Sequence, residues 1–184
     1  MELAIELGGP DLLRAAASGD QSAVRQLLDE NGPVVYGFVL ARLAGDEQAA
    51  EDVLQETFLQ AVRSASSFRG DSALSTWLCA IARHVLGRHY ARERREERAR
   101  SGLAAVGSVE PSDTAVDAAE SRQQLLAALG RLPVLHRQVL VLKYLDGRSV
   151  EEIAEELGRT RVQVQSLLQR ARDGLRRALD GDDG

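Results

Sequence analysis

The sequence predicts an all-α chain of two small helical domains joined by a flexible linker, the second domain carrying a helix-turn-helix. Three observations predict it. Ala, Leu, Arg and Glu dominate, prolines number 4 in 184 residues, and no alternating β-branched run marks a strand. Apolar residues recur at helical spacing up to about residue 98 and again from about residue 119. Between those regions the period fails: SGLAAVGSVEPSDTAVDA, residues 101–118, is small, polar and mildly acidic. The expected division is a first domain over 10–98, a linker over 99–118 and a second domain over 119–180.

Composition bounds the rest. Hydrophobic residues make up 44% and charged residues 28%, a globular balance. The single cysteine, Cys79, excludes an internal disulfide and suits a reducing cytoplasm. No apolar run approaches the roughly 20 residues that span a bilayer, and MELAIELGGPD lacks the basic start and long apolar core of a signal peptide. A cytoplasmic protein with no membrane partner is expected. The net charge is -5, yet positive charge is concentrated in Arg83–Arg100 and Arg159–Arg177. Such separation fits two contacts with nucleic acid and a different partner for the acidic surface.

In chain order, Asp11–Ser18 reads as a short helix with Pro10 in its first turn. Asp20 can cap the next helix, QSAVRQLLDEN. Gly32-Pro33 is expected to interrupt it, VVYGFVLARLA to resume, and Gly45-Asp46 to end it. An acidic helix follows, with Ala50, Val53, Leu54, Phe58 and Val62 on its apolar stripe. Glu51, Asp52, Gln55 and Glu56 lie opposite. The loop SFRGDS then breaks the pattern. A basic helix restarts at ALSTWLCAIARH, burying Leu74, Trp77, Leu78, Ile81, Ala82 and Val85 and turning Arg83, His84, Arg88 and Arg92 outward. Glu93, Glu96 and Glu97 can pair with neighbouring arginines four residues away, so part of the run to Arg100 is expected to be structural.

In the second domain ESRQQLLAALGRL comes first, Pro133 restarts a helix at VLHRQVLVLKYL, and Asp146-Gly147 closes it. Ser149 with Glu152, and Thr160 with Gln163, read as capping boxes. Gly158 separates a short helix from a longer basic one, the helix-turn-helix arrangement. Ile153, Ala154 and Leu157 would pack on Val164, Leu167 and Leu168. Arg161, Gln163, Gln165, Ser166, Gln169 and Arg170 are left as major-groove candidates.

Chemistry of other kinds is excluded or weakened. SFRGDS has one glycine and no following lysine, so it is not a phosphate-binding loop, and no nucleophile motif or paired-carboxylate arrangement appears. The chain is not expected to be an enzyme or to need a cofactor. His84, His89 and His136 lack metal-ligand spacing, so no metal site is expected. Cys79 reads as a small helix residue and Trp77 as core. Taken alone, the acidic face of Glu51, Asp52, Gln55 and Glu56 is better explained as a solvated helix surface than by a partner.

Three stretches together resemble the extracytoplasmic-function sigma factors of the bacterial sigma-70 family. They are AEDVLQETFLQA, FRGDSALSTWLCAIARH, and LPVLHRQVLVLKYLDGRSVEEIAEELGRTRVQVQSLLQRARDGLRRAL. The resemblance implies a transcription initiation factor that binds core RNA polymerase and promoter DNA, and often an anti-sigma protein. Residues 10–98 would be sigma region 2 and residues 119–180 sigma region 4. Glu51, Asp52, Gln55 and Glu56 would meet a basic coiled coil of the polymerase. Phe68, Arg69, Gly70, Asp71, Ser72, Ser75 and Trp77 would hold an extruded base of the minus-ten element, with Arg83, His84 and Arg88 beside the melting point. Arginines beyond them would hold phosphates. Arg137, Thr160 and Arg172 join the major-groove candidates at the minus-thirty-five element. Glu110, Asp113 and Asp117 of the linker would run toward the path of nascent RNA.

Two departures stand out. His84 replaces the asparagine usual after Ile-Ala-Arg, which puts the preferred minus-ten sequence in doubt. The usual Gly-Thr-Val-Lys-Ser-Arg opening of the recognition helix reads Val162, Gln163, Val164, Gln165, Ser166, Leu167, with two cations missing. Glutamines can still read adenine, but dependence on the minus-thirty-five element should be lower than usual. The competing readings are a stand-alone helix-turn-helix regulator and a decoy that sequesters polymerase without opening promoters.

Overall fold

In the computed structural model, residues 8–101 and 118–180 are described. Among them the structure is helical throughout: α1 (Gly9–Ala17), α2 (Gln21–Arg42), α3 (Glu47–Arg63), α4 (Leu74–Ser101), α5 (Ala118–Gly130), α6 (Val134–Leu140), α7 (Val150–Leu157) and α8 (Arg161–Asp180). A 3-10 turn, Ala65–Ser67, follows α3, and a π-turn, Val141–Leu145, continues α6. The expected linker lies outside the described residues except at its ends. Residues 99–101 complete α4, and Ala118 opens α5.

The described residues divide into two compact units, 8–40 with 47–89, and 41–46 with 90–101 and 118–180. The last two residues of α2, and α4 from Tyr90 onward, thus belong to the second unit.

One expected break is absent. Gly32-Pro33 does not interrupt α2, which runs unbroken with Pro33 inside it. Leu27, Asn31, Val35 and Val39 fall four residues apart and are all buried, so one apolar stripe crosses the proline. Pro33 cannot donate to the Asp29 carbonyl, but both residues are exposed, where water can take that bond. Continuous burial on one side outweighs a lost bond on the other. The Asn31 side chain within the stripe is satisfied by donating to the Leu27 carbonyl at 3.1 Å.

In the first unit α1 packs on α3 and on the 3-10 turn. The inward stripe of α3 is Ala50, Val53, Thr57, Phe58 and Ala61. Leu54 and Val62, expected there, are only half-buried. Thr57 takes an inward place because its hydroxyl donates to the Val53 carbonyl at 2.6 Å, so no polar atom is stranded. In α4, Leu78, Ala82, Val85 and Leu86 are buried, while Leu74, Trp77 and Ile81 are half-buried.

In the second unit α8 packs against α5, α6 and α7. Ile153, Ala154, Val164, Leu167 and Leu168 share one core with Leu129, Leu132, Val139 and Ala171, and Leu157 packs against it. Both capping boxes form. The Ser149 hydroxyl accepts from the Glu152 N–H while the Glu152 carboxylate accepts from the Ser149 N–H. Thr160 and Gln163 exchange the same pair of bonds, at 3.2 and 2.9 Å. Gly158 ends α7 in the left-handed region at φ 61°.

Candidate functional site

The first candidate surface is the solvent side of α3. Because the inward stripe takes Ala50, Val53 and Thr57, helical geometry turns Glu51, Asp52 and Gln55 outward, and all three are exposed. Glu56 lies at the edge of this face. It accepts from the Gln60 amide at 2.9 Å and pairs with Arg88 of α4 at 3.4 Å, both partners well exposed.

The loop between α3 and α4 is held from below. Phe68 is 7% exposed, and its ring centroid lies 5.1 Å from that of Trp77 with the planes 43° apart. Phe68 therefore anchors the loop in this conformation and does not project as a free stacking platform. Gly70 has φ 82°, and a Cβ there would lie 3.1 Å from Cγ of Pro10. A Cβ on Gly9 would lie 3.2 Å from the Phe68 ring. The start of α1 thus braces the loop from behind, a role the sequence did not disclose, because nothing local links Gly9-Pro10 to a loop sixty residues later. Arg69, Asp71 and Ser72 stand exposed on the front, and Ser75 and Trp77 at the start of α4 are half-buried.

Further along α4, Arg83, His84 and Arg88 are exposed. The Arg83 guanidinium lies 5.3 Å from the ring centroid of Phe38, a cation–π contact that fixes its stem. Phe38 sits on a different helix, and only the fold reveals that pairing.

Beyond His89 the α4 arginines are partly engaged, in the second unit. Arg92 and Arg100 pair with Glu96 at 3.9 and 3.5 Å. Arg94 donates to the Gln138 side chain, and Glu97 accepts from the Val134 N–H at 3.3 Å. Arg137, expected among the DNA contacts, is 8% exposed, and its guanidinium meets both oxygens of Glu93 at 2.8 and 2.9 Å. In this conformation it is a buried ion-pair partner and does not face solvent. Its Nε is buried without a hydrogen-bond partner. Arg42 pairs with Asp146 at 2.6 Å, with side chains 9% and 5% exposed. Tyr90 donates to the Arg42 carbonyl. Burial, the largest influence, pushes the Tyr90 hydroxyl pKa far up, so it remains a donor.

The outer face of α8 is the last surface. Thr160, Arg161, Gln163, Gln165, Ser166, Gln169, Arg170 and Arg172 are all exposed, as groove-facing residues must be. Several are committed locally. Arg161 pairs with Glu151 of α7 at 2.7 Å. Gln169 donates to both Asp173 oxygens at 3.2 Å and accepts from Arg172 at 3.2 Å. Arg170 and Arg172 donate to the Ser166 and Leu168 carbonyls at 3.3 Å.

Comparison with known proteins agrees with this layout. The model for sigma-70 region 2 matches residues 27–96, and the model for sigma-70, region 4 matches residues 122–174. The chain is 36% identical over 173 residues to the ECF RNA polymerase sigma factor SigL of Mycobacterium tuberculosis H37Rv, covering 89% of this chain and 93% of that one. It is 31% identical over 176 residues to the ECF RNA polymerase sigma factor BldN of Streptomyces coelicolor, covering 94% of this chain and 66% of BldN. A solved structure of the sigma factor RpoE in complex with the anti-sigma factor NepR from Bartonella quintana is 26% identical, with 88% of this chain and 98% of that one covered and a TM-score of 0.48. With two sigma-70 models matched in order and identity above 30% over nearly all of a relative, the chain belongs to the ECF sigma factors of RNA polymerase, a family of transcription initiation factors.

Proposed function

We propose that the chain directs promoter recognition through three surfaces. The exposed face of Glu51, Asp52, Gln55 and Glu56 docks on a cationic helical element of core polymerase. There complementary charge sets register and encounter rate. The loop Phe68–Ser75, with Trp77 beneath it, receives an extruded minus-ten base, while Arg83, His84 and Arg88 line the separating strands. Backbone freedom at Gly70 lets the loop approach a base closely, and regained contacts offset an unstacking cost of a few kcal/mol. The outer face of α8 reads the minus-thirty-five element. Residues 10–98 act as region 2, 119–180 as region 4, and 99–118 as the tether between them.

The observation that carries this is the first unit. An acidic face, a braced glycine loop and an exposed basic side of α4 follow one another in 38 residues of chain, from Glu51 to Arg88, and each is supported by its own packing. The chain acts in the cytoplasm, has no catalytic activity of its own, and is a natural target for an anti-sigma protein on these same surfaces. Among the described residues no helix is long and apolar enough to cross a membrane.

The test is run-off transcription with purified core polymerase and a promoter library. Transcripts that depend on the protein and share an upstream sequence are expected. Binding to core enzyme without transcripts would leave the decoy reading standing. Scrambling the minus-ten element should abolish initiation, and scrambling the minus-thirty-five element should reduce it less, since two cations usual on the recognition helix are absent.

A further inference from the structure

The first turn of α8 holds a residue that nothing above uses. Val162 is 74% exposed, the highest of any large hydrophobic side chain among the described residues. Single apolar residues on a surface are ordinary, so the weight rests on its position. Every neighbour in this turn is occupied. Arg161 is paired with Glu151 at 2.7 Å, Gln163 is bound into the capping box with Thr160, and Val164 is fully buried. These bonds fix the start of the helix and hold Val162 outward. Valine is also stiff, with one strongly preferred rotamer in a helix.

Spacing places Val162 on the same stripe as Gln165, Ser166 and Gln169, all exposed. Gln169 is drawn to Asp173. The stripe therefore presents two branched methyl groups first and an amide and a hydroxyl one turn later. In a recognition helix the N-terminal residues meet base edges. Among the four bases only thymine offers a methyl group to the major groove. We propose that Val162 is a specificity residue that packs on a thymine methyl in the minus-thirty-five element.

The proposal rests on α8 reading that element, so the experiment separates the two. The holoenzyme initiates from its own promoter in templates where one thymine at a time in the element is replaced by uracil, which removes a methyl group and keeps the pairing. With the wild-type protein, one position should lower initiation roughly threefold to fivefold, the worth of one buried methyl group. With Val162→Ser the same uracil should make no difference, and helical circular dichroism should be unchanged. Val162→Ala, which keeps one methyl and favours helix, should give an intermediate penalty. If no uracil matters, or if the penalty persists undiminished in Val162→Ser, the proposal is overturned while α8 recognition stands. If scrambling the whole element leaves wild-type initiation unchanged, both readings fall together.

Discussion

The loop at Gly70 and the turn at Gly158 solve the same problem in different ways. Each carries the chain between two helices, and each uses a glycine in the left-handed region, at φ 82° and 61°. At Gly158 nothing lies within 4 Å of where a Cβ would be, and the turn is held by local bonds on both sides. At Gly70 the space is closed by Pro10, and the loop's form depends on the start of α1. A turn made by its own neighbours is a rigid spacer, suited to hold two helices at a fixed angle. A loop braced from a distance can present Arg69, Asp71 and Ser72 in a conformation that its own sequence does not favour. The second unit adds another contrast. It holds an ion pair buried on both sides, Arg42–Asp146, and one buried on the arginine side, Arg137–Glu93, whereas Glu56–Arg88, which joins α3 to α4 in the first, stands in water.

The largest effect is expected at Asp146. Asp146→Ala leaves the Arg42 guanidinium buried without its carboxylate and should cost about 3–5 kcal/mol in chemical denaturation. Replacing both partners by apolar residues, Arg42→Met with Asp146→Leu, should recover most of that loss. A single-mutant cost below about 1 kcal/mol would show that water already reaches the pair.

Next come the two glycines, which sharpen the comparison directly. Either substitution to alanine carries the left-handed penalty of about 1–2 kcal/mol. Gly70→Ala should cost more than Gly158→Ala, because only there must a neighbour move, from a contact of 3.1 Å. Gly70→Ala should also weaken minus-ten recognition, whereas Gly158→Ala should spare it. Equal costs would mean that Pro10 yields freely and does not brace the loop.

The capping box at Ser149 gives a smaller, pH-dependent effect. The backbone N–H and then the hydroxyl of Ser149, followed by Arg148, hold the Glu152 carboxyl below its ordinary value of 4.5. A depressed folded-state pKa contributes stability above the unfolded value, and that contribution disappears as pH falls through the folded one. Wild-type Tm should therefore decline below about pH 4.5 more steeply than that of Glu152→Gln, which keeps an oxygen to accept from the Ser149 N–H but has no carboxyl to titrate. Parallel Tm curves would mean that the box does not persist in solution.

How much of this was legible follows from where each constraint lives. The helix-turn-helix could be read to the residue, because capping boxes and Gly158 act within four positions of themselves. So could the outward face of α3, from period alone. Pro33 was misread because its local rule is strong, and the stripe of Leu27, Asn31, Val35 and Val39 that overrides it only counts once a core exists to receive it. Arg137 looked like any exposed arginine near a basic helix. Its burial is set by Glu93, 44 positions earlier, and no local pattern encodes that. The brace by Pro10 and the ring of Phe38 beneath Arg83 are likewise long-range. Val162 is illegible for another reason: an apolar side chain in the first turn of a recognition helix reads as a helix filler until its exposure is known.

The smallest expected effect is the most useful for function. Glu56–Arg88 spans 3.4 Å with side chains 41% and 61% exposed, so Coulomb attraction is offset by solvation and by the entropy of two long side chains. Glu56→Gln keeps the bond to Gln60 within reach and should change stability by less than about 0.5 kcal/mol. If α3 were only a solvated surface, that would be the whole effect. If it docks on a cationic element, the same substitution should slow association with core polymerase, and raising salt should slow the wild type until the two converge. Association kinetics across ionic strength therefore distinguish a face kept for solubility from one kept for a partner. A variant that is equally stable and associates at the wild-type rate at low salt would make Glu56 a solvated surface residue only.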